Sequence, residues 1–219
     1  MSSEPLKALL LDLDGTLIEP EFEFTYGEIG RILGPLGHPP PEPETIKRAH
    51  ARGQLWEWLP EQRRAELVTR FWRDYRGGHY PHPRVLPGVP ETLTKLRARG
   101  LKLMVVTFRA DSDERVTELL TDCDLARYLD GIYSMGELAA TSPDKSPIIT
   151  RALNDFAIHP HEAAIVGDAK PDIESGRVCK LRHAFVVETG GFDYDYLTSL
   201  SPDYVLSHIA ELPALLERI

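Results

Sequence analysis

Apolar residues in this chain gather into short unbroken runs separated by longer stretches with a helical pattern. The clearest runs occupy residues 8–13, 101–107 and 163–167, and weaker ones lie at 184–187 and 204–206. Runs of Leu, Val, Ile and Met this short and this continuous suit strands covered on both faces, as in a parallel sheet. Between them, residues 89–99, 112–120, 146–156 and 209–217 read as helices. Pro87 and Gly88 punctuate the start of the first, and Gly100 stands where a helix C-terminal glycine belongs. Strand and helix signals in alternation predict an α/β domain built on a parallel sheet.

One segment departs from this alternation. From residue 20 to residue 83 there is no strand signal, and helix-like patches are separated by Gly34-Pro35, Gly37, Pro39-Pro40-Pro41, Pro60 and Gly77-Gly78. Trp56, Trp58 and Trp72, all the tryptophans of the chain, fall here. A disordered linker would lack such apolar bulk, so the pattern predicts a small helical insert. Hinges are expected near residues 18–23 and 80–85. The chain therefore divides into a core, residues 1–19 and 84–219, and a helical unit, residues 20–83.

Composition narrows the function. A length of 219 residues suits one sizeable domain with a modest insert. The net charge of −9 argues against nucleic acid as a partner, because phosphate-backbone contacts need a basic face. No apolar run is long enough to span a membrane, and the stretch at 6–13 is interrupted by Asp12 and lacks a small-residue cleavage site. Cys123 and Cys179 are far apart and have no histidines at metal spacing; they read as buried reduced thiols of a cytoplasmic protein, with a structural disulfide as the alternative. Nothing in the pattern specifies an oligomeric state.

The chemistry concentrates where the strand runs end. Asp12-Leu13-Asp14-Gly15-Thr16-Leu17 directly follows the first run, and ligand sites in parallel sheets gather at the carboxyl ends of strands. A carboxylate there can attack phosphorus and form an acyl phosphate, dividing a hard hydrolysis into two easier steps. A second carboxylate two residues on can protonate the departing oxygen and then deprotonate water. Gly15 permits a turn that a side chain would obstruct.

The second run ends on Thr107, whose hydroxyl, with neighbouring backbone N–H groups such as that of Phe108, can hold a phosphoryl oxygen; a threonine there also fits ordinary strand preference. The run at 163–167 leads into Gly167-Asp168-Ala169-Lys170-Pro171-Asp172, with Pro171 placed to open a helix. Asp168 and Asp172 offer the hard oxygen ligands that Mg²⁺ prefers, although Asp172 also suits a helix N-terminus.

A carboxylate approaching a phosphate meets like charge, about 4 kcal/mol for one pair at about 4 Å and an effective dielectric near ~20. A divalent cation and a lysine would offset it. Lys145 is the only lysine between Thr107 and Asp168, but most lysines are solvated surface groups, so spacing leaves it open.

Taken together, Asp12-x-Asp14-Gly-Thr-Leu, a strand ending on Thr107, Lys145 and Gly167-Asp168-x-x-x-Asp172 resemble, in order, the four motifs of the haloacid dehalogenase superfamily of phosphohydrolases. The resemblance covers nearly the whole chain, and the general shape is closest to the phosphoglycolate phosphatase-like branch. It implies a Rossmann-like core with helices on both faces and a helical cap at 20–83 that closes over the site. It implies a small phosphorylated metabolite as substrate, Asp12 as nucleophile and Asp14 as general acid/base. Mg²⁺ would be held by Asp12, the Asp14 backbone carbonyl and Asp168, with Asp172 in support. Thr107, Phe108 and Lys145 would bind the phosphoryl group.

The chain departs from the family at two places. Phe108-Arg109 follows Thr107 where many relatives carry Asn, so Arg109 becomes a candidate contact for a second anionic group. Ser146 separates Lys145 from Pro147. Within the insert, Arg52-Gly53 with Trp56 and Trp58 is a candidate specificity loop, against the alternative of a charged helix face with tryptophans packed inside. A sugar-phosphate mutase of the β-phosphoglucomutase type would share the motifs, and a non-catalytic relative would share the fold.

Overall fold

The computed structural model describes residues 5–75, 83–140 and 144–219. Six parallel strands form one sheet: β1 (Ala8–Leu11), β2 (Lys102–Thr107), β3 (Gly131–Ser134), β4 (Ala163–Gly167), β5 (His183–Val187) and β6 (Tyr204–Leu206). Their spatial order is β3-β2-β1-β4-β5-β6. The chain thus winds outward from β1 in one direction and then from β4 in the other. The switch falls between β1 and β4, which run in register from Ala8 beside Ala163 to Leu11 beside Val166.

Side chains alternate faces along each strand, and both faces are buried. Leu9, Leu11, Leu103, Val105, Ala164 and Val166 enter one apolar layer. Ala8, Leu10, Met104, Val106, Ala163 and Ile165 enter the other. This two-sided burial is why the strands read as unbroken apolar runs. The first layer is covered by Val89, Leu93 and Leu96 of α4 (Val89–Ala98) and by Val116 and Leu120 of α5 (Asp113–Asp122). The second is covered by Ile148, Ile149, Ala152 and Leu153 of α6 (Ser146–Asp155) and by Ile173 of α7 (Lys170–Val178). Short α8 (Tyr194–Ser199) and α9 (Leu212–Leu215) complete the layers.

The helices expected at 89–99, 112–120 and 146–156 are present within a residue or two. The expected C-terminal helix at 209–217 is instead a 3₁₀ turn, Ile209–Glu211, followed by the four residues of α9, where Pro213 removes a donor. Strand β1 stops at Leu11 rather than residue 13, because the Asp12 carboxylate accepts the Leu13 N–H at 2.8 Å and turns the chain. Strand β3 had no sequence signal; it is a half-buried edge strand lacking an apolar run. Cys123 and Cys179 are free but half-buried rather than buried.

The insert holds α1 (Phe22–Leu33), α2 (Pro43–Ala51) and α3 (Arg64–Asp74). They gather an apolar cluster of their own from Ile29, Ile32, Leu33, Ile46, Leu59, Leu67 and Phe71. Trp56, Trp58 and Trp72 pack against its edge. Helix α1 already begins at Phe22, inside the hinge expected at 18–23. The insert leaves and rejoins the core through adjacent segments: Ile18 bridges Val85, Glu19 N–H donates to Arg84 O at 2.8 Å, and Leu86 N–H to Leu17 O at 3.0 Å. Residues 80–82 of the second expected hinge, with Gly77-Gly78, His79 and His82, lie outside the described residues.

Candidate active site

The carboxyl ends of β1, β2 and β4 meet at the switch point, and the predicted residues stand on them. Asp12 follows β1 and donates its N–H to Val166 O at 2.8 Å. Asp168 follows β4, and Asp172 lies in the first turn of α7. Oxygen atoms of Asp12, Asp168 and Asp172 all lie within 4.8 Å of one another, and all three residues are buried. Two glycines make the arrangement possible. A Cβ on Gly15, which has φ of +79°, would stand 2.7 Å from the Asp168 carboxylate; on Gly190 it would stand 1.8 Å from it. Asp168 is therefore threaded between two backbones that no side chain could share.

Lys145 joins this cluster. Its ammonium lies 2.8 Å from Asp12 Oδ1 and 2.6 Å from Asp172 Oδ1, and it donates to Val106 O at 3.3 Å. Only 1% of Lys145 is exposed, so it is none of the solvated lysines among which sequence alone left it. It caps α6, and its N–H donates to Ser175 Oγ at 2.8 Å, so the intervening Ser146 displaces nothing. Asp172 takes the helix N-terminal place, its Oδ2 accepting the Ala169 N–H at 3.1 Å, while its Oδ1 faces Lys145 at 2.6 Å.

The charges do not balance. Burial pushes the Asp12 carboxyl up to about 7, with Asp172 and Asp14 adding to the rise and Lys145 opposing it. Burial likewise lifts Asp168 well above the ordinary carboxylate range, helped by Asp12 and Asp172. Desolvation works to lower Lys145, yet Asp12 and Asp172 carry it above its usual value. Fully ionised, the three carboxylates facing one ammonium would carry two net negative charges, the charge one divalent cation matches. The all-oxygen donor set and its charge thus fit a hard metal ion.

Asp14 stands apart from the three clustered carboxylates. Arg109 grips it with Nε at 2.8 Å and Nη2 at 2.7 Å, and Arg109 is itself 8% exposed. Arg109 was read from sequence as a contact for a second substrate anion; here the anion it holds is Asp14. Thr107 is buried beside the site and its Oγ1 accepts the Arg109 N–H at 3.3 Å. Phe108 is half-buried on the wall of the cleft. Arg52 is exposed at the end of α2 and does not line the cleft, whereas Gly53 does. Trp56 and Trp72 line it, while Trp58 packs within the insert.

A cleft of about 610 Å³ opens over these groups, between insert and core. The insert is held to the core at its sides. The His50 ring stacks on Phe192 at 4.5 Å, and its Nε2 lies 3.3 Å from Gly190 O. Asp193 N–H donates to Ala51 O at 2.7 Å, and Trp72 meets Phe108 edge-to-face at 5.6 Å. Sequence reading missed His50, Phe192 and Tyr196; the Gly190-Gly191 pair was the one signal available there.

Comparison with known proteins decides the lineage. Residues 9–186 match the family model described as haloacid dehalogenase-like hydrolase. The chain belongs to that family. It is 29% identical to a phosphoglycolate phosphatase of Nitrosospira multiformis, across 98% of this chain and 97% of that protein. It is 28% identical to pyrophosphatase PpaX of Halalkalibacterium halodurans, across 94% of this chain and 95% of that one. A haloacid dehalogenase-like family hydrolase from Streptococcus pneumoniae shares the fold with a TM-score of 0.71 at 22% identity, over 98% of this chain and 99% of that one. The family resemblance carried by the four motifs is borne out, as is the Rossmann-like α/β fold. Among the described residues no helix is long and apolar enough to cross a membrane.

Proposed function

We propose that this chain is a Mg²⁺-dependent phosphatase that hydrolyses a small phosphorylated metabolite through an aspartyl phosphate on Asp12. The observation that carries this reading is the charge deficit at the switch point: Asp12, Asp168 and Asp172 are buried around a single ammonium, that of Lys145. Such a corner stays charged only if a cation completes it. The phosphatase relatives support the reaction class.

Asp12, Asp168 and the Asp14 backbone carbonyl would hold Mg²⁺, with Asp172 in support. When bound, the ion would supply positive charge against the phosphoryl oxygens and favour the ionised form of Asp12. Asp12 then attacks phosphorus, and the bond to the substrate's alcohol oxygen breaks. Thr107, the Phe108 N–H and Lys145 bind the phosphoryl oxygens. Asp14 gives its proton to the departing alcohol and takes one from the water that cleaves the acyl phosphate. Arg109 fixes where the Asp14 side chain stands. The helices of the insert serve as a cap that excludes water and reads the alcohol. Two free thiols suit a reducing compartment, and the cytoplasm is where we place the protein.

The test is phosphate release from phosphorylated metabolites in Mg²⁺ and in EDTA, with rapid quench for a covalent phosphoprotein. Release should need the metal, and Asp12→Asn should lower it about 10⁴-fold or more. Chelator-insensitive release, or near-wild-type turnover by Asp12→Asn, would remove the reading. Transfer of the phosphoryl group to a sugar hydroxyl instead of water would make the chain a mutase.

A further inference from the structure

We propose that the alcohol part of the substrate carries a planar, uncharged ring, received between aromatic side chains of the insert and the core. The inference rests on the phosphatase reading and adds a substrate class to it. The cleft above the carboxylate corner is walled by Phe22, Trp56 and Trp72 from the insert and by Phe108, Phe192 and Tyr196 from the core. Every one of these rings is half-buried. Their mutual contacts hold them in place before any ligand arrives: Trp72 against Phe108 at 5.6 Å, Trp56 against Trp72 at 6.4 Å, and Phe192 against Tyr196 at 5.2 Å. Rings already ordered lose little entropy on binding, which is what a stacking site requires.

Charge points the same way. Among the described residues, each lysine and arginine lining the cleft already faces a carboxylate of the chain. Arg109 grips Asp14, Lys145 lies between Asp12 and Asp172, and Lys170 lies 3.5 Å from Glu174. Burial pushes His50 below its ordinary value, so it stands neutral in the wall. Glu21 and Asp111 line the cleft as well. A substrate with a second anionic group would bring it toward an acidic and aromatic surface whose buried cations, Arg109 and Lys145, are engaged. A two-carbon acid would also fill a small part of the roughly 610 Å³ and present no π-face to the rings. A flat neutral ring fills the space and stacks, an interaction worth on the order of ten- to a hundredfold in affinity per aromatic side chain.

The test compares kcat/KM of the Mg²⁺-loaded full chain across two groups of substrates. Benzyl phosphate, uridine 5′-monophosphate and flavin mononucleotide form the first; 2-phosphoglycolate and inorganic pyrophosphate form the second. At least one ring ester should exceed both members of the second group by tenfold or more. Trp72→Ala and Tyr196→Ala should each narrow that ratio at least fivefold, through KM for the ring ester. The ratio is read because a general folding defect lowers both substrates together, and Phe192→Leu provides a milder third variant. A preference for 2-phosphoglycolate or pyrophosphate, rates within tenfold across the panel, or a ratio unmoved by the variants would overturn the inference and leave the phosphatase reading standing. No phosphate from any ester would overturn both.

Discussion

At its inner end the cleft is bounded by four buried residues: Asp12, Lys145 and Asp172 are tied to one another or to a strand carbonyl within 2.6–3.3 Å, and an Asp168 oxygen lies within 4.8 Å of the other two carboxylates. At its outer end it is bounded by half-buried rings from separate stretches of chain, joined mostly by ring contacts of 4.5–6.4 Å. The inner groups sit on strand ends whose positions the sheet ladder sets. The outer ones sit on helices and a loop that hydrogen-bond to the core at few points. Reaction chemistry tolerates little displacement, and a rigid sheet edge supplies that tolerance. On the proposed reading, recognition of the alcohol at the outer end can vary without disturbing it.

This contrast breaks most visibly at Lys145. In the metal-free protein at pH 8, Lys145→Ala leaves Asp12 and Asp172 buried without their cation and should cost about 3–5 kcal/mol in urea denaturation. At pH 5, below the value of about 7 to which burial raises Asp12, that carboxyl is neutral and the loss should shrink. Equal losses at both pH values would show that the corner is not electrostatically coupled.

Arg109 joins the two ends, since it lines the cleft and grips Asp14. Arg109→Ala should lower kcat about 10- to 100-fold by letting the Asp14 carboxylate wander, while KM changes less. Arg109→Lys keeps the charge, loses the two-pronged grip and should fall between. A rise in KM with kcat preserved would make Arg109 a substrate contact instead.

A further effect is expected on stability against pH. The Asp12 carboxyl goes from 3.8 when unfolded to about 7 when folded, so the folded protein binds the extra proton between those values. Stability from this group is present below about pH 4 and is lost as pH rises toward 7, at most about 1.4 kcal/mol per pH unit. Metal binding favours the ionised form and works in the opposite direction. The thermal shift given by Mg²⁺ over EDTA should therefore grow from pH 5 to pH 8. A shift independent of pH would separate metal binding from this carboxyl.

Much of the site was legible because its signals are local. Asp12 and Asp14 stand two apart after a buried run, and Gly15 has the positive φ that the turn needs. Pro171 opens α7 and puts Asp172 in its first turn. Lys145 was ambiguous because burial is not a property of neighbouring residues; the partners that identify it lie 27 or more positions away. The Arg109 grip on Asp14 spans 95 positions and has no sequence mark. Strand β3 went unseen because an edge strand needs no apolar run, and Arg52 was placed on the cleft because only packing shows that α2 turns it outward.

The sequence by itself determined five of the six strands, the turn after β1, the helical character of the insert and the order of the four motifs, because backbone preference and apolar period act over a few residues. Tertiary structure alone decided which charges meet. The order β3-β2-β1-β4-β5-β6 brings the ends of β1, β2 and β4 together, and burial there raises carboxyl groups that would otherwise titrate near 4. It also set Trp72 against Phe108 and His50 against Phe192, closing an aromatic cleft over a charged floor, because contact and desolvation depend on distance in space rather than along the chain.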